Sequence, residues 1–322
     1  REGAGWRVGT SALYAKGADF GARVRGGLWF QNDGTRPWID LAADLDDTTV
    51  SAAKGFWVKY QMSPATVKWL DTALVAGHVR NGRAVASGDL DDWPFRDDNG
   101  LFQADAELDG ATVKFQPEWP AAEALDGKVS FVADGFTVDG KASIAGVGIQ
   151  KLQAGIAHFG EAELALRAEG ASDASKLLGL LRNSPLRKEH GETFANIEAS
   201  GPAKLMFDMS LPLRSASGAK QRIDGTVDLA GAKLSEKRWQ LAFADVRGHA
   251  RYNQDGFEAD KLDVIHEGQP GKLSLRAGGY ARDARQAFEA DLQSMVSSDA
   301  LLGRAEQLAW LKPYLEGRSQ WT

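Results

Sequence analysis

Two stretches of this chain match each other at a constant separation of 121 residues, and that repeat limits the folds available to it more than any other feature. Leu125 through Phe136 aligns without a gap on Val246 through Phe257. Gly127 falls on Gly248, Phe131 on Tyr252, and Asp134-Gly135-Phe136 on Asp255-Gly256-Phe257. The same offset carries Gly110-Ala111 onto Gly231-Ala232 and Lys151-Leu152 onto Lys272-Leu273, while Trp119 meets Trp239 one residue out of step. A reiterated strand-and-turn module buries its apolar face against neighbouring copies, so an elongated array is expected.

Period-2 alternation dominates between these anchors. Ala203, Leu205, Phe207, Met209, Leu211 and Leu213 alternate with Pro202, Lys204, Met206, Asp208, Ser210 and Pro212, which places them on one face of a strand. By the same parity Lys204, Asp208 and Ser210 belong to the solvent face. Further runs are Phe102, Ala104, Ala106, Leu108; Trp239, Leu241, Phe243; Leu273, Leu275, Ala277; and Phe288, Ala290, Leu292. Asp109-Gly110, Asp126-Gly127, Asp134-Gly135, Asp139-Gly140, Asp224-Gly225 and Asp255-Gly256 read as tight hairpin turns. The expected fold is mostly β, a long curved antiparallel sheet of about 16 to 20 strands forming a groove or gutter, with a few short α-helices.

Three helices are expected. Ser63-Pro64 opens one over 64–76, Ser172-Asp173-Ala174 one over 173–183, and Ser298-Asp299-Ala300 one over 299–312. They divide the chain into a β module at 1–101, a first repeat at 102–200, a second at 201–318, and the start of another at 319–322. Helices this short cannot cover so long a sheet, so they are expected to act as lids or plugs at particular places.

The chain of 322 residues has 43% hydrophobic and 25% charged residues and a net charge of −6. No basic face for nucleic acid is indicated. Cysteine is absent, which removes disulfides, thiolate catalysis and thiolate metal sites together. His78, His158, His190, His249 and His266 lack the spacing of a helical metal pair and read as surface or turn residues. No nucleophile elbow or phosphate loop occurs. Gly3-Ala4-Gly5 and Gly146-Val147-Gly148 read as turn glycines. Asp44, Asp46 and Asp47, with Asp89, Asp91, Asp92, Asp97 and Asp98, lack the glycine and glutamate positions of a calcium loop and read as solvated turns. No enzyme, cofactor or metal is therefore expected, although paired carboxylates of a carbohydrate-active enzyme are a matter of fold.

Ten Trp and fourteen Phe stand against five Tyr, a balance favouring apolar burial or an amphipathic rim. Trp93-Pro94, Trp119-Pro120 and Arg36-Pro37-Trp38 lie in turn-like surroundings. Such residues either cap the open ends of a sheet or line an apolar groove.

Gly34-Thr35-Arg36-Pro37-Trp38-Ile39-Asp40-Leu41, and Met62-Ser63-Pro64 with Trp69-Leu70 and the segment from Ala73 to Gly77, resemble the module ahead of the repeats in YhdP-type proteins of the AsmA-like superfamily. Phe115-Gln116-Pro117-Glu118-Trp119-Pro120, the most specific block, is similar as well. So are the Ser184-Pro185-Leu186 stop, Gly201-Pro202-Ala203 leading into Leu211-Pro212-Leu213, and the closing stretch from Trp310 to Trp321. The resemblance covers nearly the whole chain. It implies a periplasmic segment of a bridge anchored in the inner membrane of Gram-negative bacteria by a part outside this chain, with an apolar gutter that carries phospholipids to the outer membrane.

The residues themselves agree, because a meander with one apolar face and few helices needs a cover, and acyl chains supply one. The expected groove residues are Phe102, Leu108, Phe131, Leu205, Phe207, Met209, Leu211, Trp239, Leu241, Phe243, Leu273 and Leu275. The expected partners are phospholipid acyl chains and the two membranes, and no nucleic acid. A closed β-array with a dry core is the alternative that the same alternation allows.

Overall fold

The structure, a computed structural model, describes residues 5–56, 62–213, 220–238, 240–283, 285, 286, 288–297, 302, 310, 311, 313, 314 and 317–321. The first module holds strands β1 (Trp6–Lys16), β2 (Gly21–Phe30), β3 (Trp38–Leu45) and β4 (Thr48–Thr49), a short helix α1 (Val50–Ala53), helix α2 (Pro64–Ala73) and strand β5 (Leu74–Asp89). Next come β6 (Gly100–Val113), β7 (Ala122–Val132), β8 (Gly135–Ile144), β9 (Val147–Ile156) and β10 (Glu163–Asp173), followed by helices α3 (Ala174–Arg182) and α4 (Arg187–Asn196). The remainder is β11 (Ile197–Ser200), β12 (Pro202–Pro212), β13 (Arg222–Glu236), β14 (Leu241–Asn253), β15 (Gly256–His266), β16 (Gln269–Gly278), β17 (Phe288–Ser297) and β18 (Arg318–Trp321).

All eighteen strands among the described residues belong to one antiparallel sheet, in which strands pair in chain order. Two short strands are set end to end with their predecessors or successors instead. β4 continues the line of β3 along β5, and β11 lies beside β13 next to β12. β10 pairs directly with β12, so the sheet passes residue 200 without a break.

The 121-residue repeat is written into the hydrogen-bond register. Leu108 opposes Gly127 and Leu229 opposes Gly248; Ala111 opposes Leu125 and Ala232 opposes Val246; Phe131 opposes Phe136 and Tyr252 opposes Phe257. The ladder shifts register on both sides of Ala111 and again on both sides of Ala232. Even the turn contacts recur, since the Asp134 carbonyl accepts from the amide of Phe159 (2.7 Å) and the Asp255 carbonyl from that of Gly279 (2.8 Å). Both Asp-Gly turns lie on the same edge of the sheet, as an odd number of strand reversals (β8–β9, β9–β10, β10–β12, β12–β13 and β13–β14) lies between them.

Of the six Asp-Gly pairs read as hairpin turns, only Asp134-Gly135 and Asp255-Gly256 connect strands; the other four lie inside β6, β7, β8 and β13. At Asp126-Gly127 and Asp139-Gly140 the reason is close packing of backbone. Gly127 and Gly140 oppose each other, and a Cβ on either would stand 2.4 Å from the carbonyl oxygen of Asp139 or Asp126. Glycine at such a point lets the sheet bend where two larger residues would keep it apart.

Helix α2 begins where the sequence indicates, with the Ser63 hydroxyl accepting from the Thr66 amide at 3.1 Å. It ends at Ala73, short of Gly77, because Leu74 is already paired with Val113 in the sheet. Helix α3 is capped by Asp173, which accepts from the Ser175 amide at 2.9 Å. The helix expected over 299–312 falls largely outside the described residues. Helix α4 was not legible in the sequence, for its residues are polar nearly all round. Tertiary bonds hold it: the Arg182 guanidinium donates to the carbonyls of Phe194 and Ile197, each at 2.7 Å.

The two faces of the sheet differ in kind. One carries cross-strand charge pairs, among them Lys151–Glu169, Arg251–Glu258 and the chain Arg167–Asp208–Arg222–Asp224. Arg276 on this face is almost enclosed by Glu258, Asp260 and Asp291, at 3.2, 3.0 and 3.0 Å. The other face is apolar and carries the core.

Candidate functional site: an apolar trough

The apolar face is continuous across the strands because the register keeps one parity in line. A single cross-strand row runs Leu108, Gly127, Gly140, Leu152, Ala168, Phe207, Gly225, Tyr252, Phe257, Ala277 and Phe288, from β6 to β17. Glycines and alanines are interspersed among bulky side chains along it. At Gly225 the Tyr252 ring takes the missing side chain's place, its Cζ 2.2 Å from where a Cβ would stand. Burial there pushes the Tyr252 phenol above its ordinary pKa, so the hydroxyl stays protonated.

Three adjoining cavities follow this face, of about 240, 230 and 880 Å³. The first and second share Phe115, Ile144 and Leu166, and the second and third share Ile197, Leu234 and Leu275. They therefore form successive stations of one trough. Phe102, Leu108 and Phe131 line the first; Leu205 and Phe207 line the second; Leu241, Phe243 and Leu273 line the third; Leu275 borders the last two. Met209 and Leu211 share this parity but line none of the three cavities. Trp239 lies outside the described residues. In β1, by contrast, Trp6, Val8 and Leu13 stand about half exposed, and the apolar face there is uncovered.

Segments cross the trough at defined places. Helix α2, about 15 Å long by its ten residues, is tied at its start to one edge, where the Thr66 hydroxyl donates to the Phe159 carbonyl (3.2 Å). Further along, the Trp69 indole N–H donates to the Phe115 carbonyl in the β6–β7 connection on the opposite edge (2.8 Å). That connection, the Phe-Gln-Pro-Glu-Trp-Pro block, crosses back. Lys114 holds its base by bonding the Trp119 carbonyl, Gln116 Nε2 reaches Gln221 Oε1 at 3.4 Å, and Glu118 pairs with Lys188 of α4. Trp69 stacks over Phe136 and Trp119 meets Phe207 edge-on, with ring centroids 6.5 and 5.7 Å apart. Leu177, Leu178, Leu180 and Leu181 of α3 add to the lining of the second cavity.

Of the turn tryptophans, Trp93 and Trp119 line cavities and Trp38 stays exposed. The part played by the Phe-Gln-Pro-Glu-Trp-Pro block was not readable from periodicity, because its contacts join residues far apart in the chain. At the rim, Asp134 is nearly buried between Arg96 and His158 Nδ1, the latter at 3.0 Å. Burial alone would raise its pKa, but the hydrogen bonds from His158 and Arg96 prevail and hold it below the ordinary carboxylate value.

Four residues of the acidic clusters have structural partners. Asp46 accepts from the Tyr14 hydroxyl (2.7 Å) and Arg23 (3.1 Å), Asp44 lies 3.9 Å from Arg25, Asp89 caps the Asp91 amide, and Asp91 accepts from the Arg36 amide. Among the described residues no group of three His, Asp or Glu is placed to hold a metal ion. His266 departs from the surface reading: it is 1% exposed, with Nδ1 2.9 Å from the Ala242 carbonyl and its ring against Phe243. Among the described residues, no helix is long and apolar enough to cross a membrane.

The profile of the YhdP protein family matches residues 1–322. The intermembrane phospholipid transporter YhdP of Escherichia coli (strain K12) is 24% identical over 250 residues, covering 77% of this chain and 19% of that relative. The chain thus spans a minor part of that relative's length. No solved structure matches.

Proposed function

The chain belongs to the YhdP family, and from that premise we propose that it is a segment of a periplasmic bridge that holds phospholipid acyl chains in its apolar trough during transfer between the inner and outer membranes. The observation that carries this reading is the unbroken apolar row from Leu108 to Phe288 with cavities that share their walls. Each methylene taken from water contributes about 0.8 kcal/mol, so a lipid rests stably along such a face with its head group in solvent. Movement along the trough needs no catalytic residue, because successive positions offer similar apolar surroundings. Phe102, Leu108, Phe131, Leu205, Phe207, Leu241, Phe243, Leu273 and Leu275 are the side chains assigned to acyl contact, with Met209 and Leu211 packed beside them on the same face.

The close packing around α2 and α3, where the remaining cavities are only about 240 and 230 Å³, favours a second reading, a closed array with a dry core. Native mass spectrometry of the chain purified from bacteria separates the two. A bound mass in the phospholipid range supports the trough, and a lipid-free chain from several preparations supports the dry array.

A further inference from the structure

Among the described residues, the buried side-chain N–H groups without a partner are the indole donors of Trp93 and Trp119. Both tryptophans line the trough, Trp93 in the first cavity and Trp119 in the second. Trp69, the other indole packed into the same covering, has its N–H satisfied by the Phe115 carbonyl at 2.8 Å. Burying a donor without an acceptor is unfavourable, and such groups in a folded protein call for a partner that arrives from outside.

We infer that the Trp119 indole N–H is a hydrogen-bond donor to the ester carbonyl of a bound glycerolipid, with Trp93 as the equivalent donor in the neighbouring cavity. This rests on the acyl-trough reading given above. Trp119 is 4% exposed, and its ring is clamped between Phe115 and Phe207 with centroids 6.0 and 5.7 Å away. It stands in the segment that crosses the trough, above the apolar row. An ester carbonyl occupies the corresponding place in a lipid, at the top of the acyl chains and below the head group. A lone water is the poorer partner, since a stable buried water needs two to four polar neighbours, and the second cavity is lined chiefly by Leu, Ile, Phe and Ala side chains. The donor thereby favours ester-linked chains over apolar matter of equal length, a selectivity that the apolar row lacks.

The test uses the intact chain and two synthetic probes with matched C16 tails and head groups, diacyl phosphatidylethanolamine and its dialkyl ether analogue. Competition between them is read by native mass spectrometry. The wild type is expected to prefer the diester by about two- to tenfold, the range for one net hydrogen bond. Trp119→Phe keeps an aromatic ring and removes the donor, so its preference should fall towards parity. Loss of packing affects both probes alike and cancels in the ratio. Equal binding of the two probes by the wild type overturns the inference without touching the trough. So does an undiminished ester preference in the Trp93→Phe/Trp119→Phe double variant. Binding of neither probe overturns the trough reading itself.

Discussion

The Trp119 indole meets the Phe207 ring edge-on at 5.7 Å between centroids, joining the segment that crosses the trough to the middle of strand β12 on its floor. Helix α2 is joined to the same segment through Trp69 and the Phe115 carbonyl. Trp69→Phe should therefore loosen both coverings, at a cost of about 1 kcal/mol for the lost hydrogen bond. Hydrogen exchange of amides in 64–73 and 115–119 should quicken, while β12 and β13 keep their protection. Unchanged exchange in both coverings would contradict the coupling.

Ala111 and Ala232 are both fully buried at equivalent points of the repeat, each flanked by register shifts. Enlarging either side chain has no empty space to use. Ala111→Leu and Ala232→Leu are each expected to destabilise the chain by about 1–3 kcal/mol, seen as a lower thermal midpoint in calorimetry. A substitution that is neutral at one position and severe at the other would argue against equivalent packing.

Asp134 gives the rim a pH dependence. Its folded pKa lies below the ordinary carboxylate value, so the stability it contributes is complete above the unfolded value of about 3.9 and is lost as pH falls through the lower folded value. Midpoints of urea unfolding should decline across that acid window in the wild type and less steeply in Asp134→Asn. At neutral pH the variant should be less stable by about 1.5–3 kcal/mol, the range for hydrogen bonds to a charged group. Parallel acid limbs for the two proteins would remove Asp134 as the cause.

The β architecture and the repeat were legible in the sequence because alternation fixes which face a side chain takes and the 121-residue offset returns as matched pairs such as Leu108–Gly127 and Leu229–Gly248. Capping chemistry likewise located the starts of α2 and α3. Other features depend on contacts that no local pattern carries. Asp126-Gly127 and Asp139-Gly140 look like turns, yet they lie within paired strands, with Gly127 opposite Gly140. The bonds from Thr66 to Phe159 and from Gln116 to Gln221 span 93 and 105 residues, so the coverings of the trough emerge only once the sheet is folded. Polar α4 is held by Arg182 instead of by an apolar stripe.

Phe207→Glu places a carboxylate on the acyl path beneath Trp119. Desolvating it is unfavourable by several kcal/mol where no water enters, so lipid recovered with the purified chain should fall sharply. The circular dichroism spectrum of the sheet should be retained. A variant that keeps its full lipid load would count against Phe207 as an acyl contact.

Strand parity in β12 offers the most direct measurement of all. Phe207 is on the trough face, and its neighbour Asp208 is on the opposite face, bonded to Arg167 and Arg222. A photoreactive amino acid placed at each position in turn, in bacterial cells grown with labelled phospholipid, reports which face meets lipid. The trough predicts labelled adducts from position 207 and none from 208. Equal capture from both positions, or none from either, would contradict it.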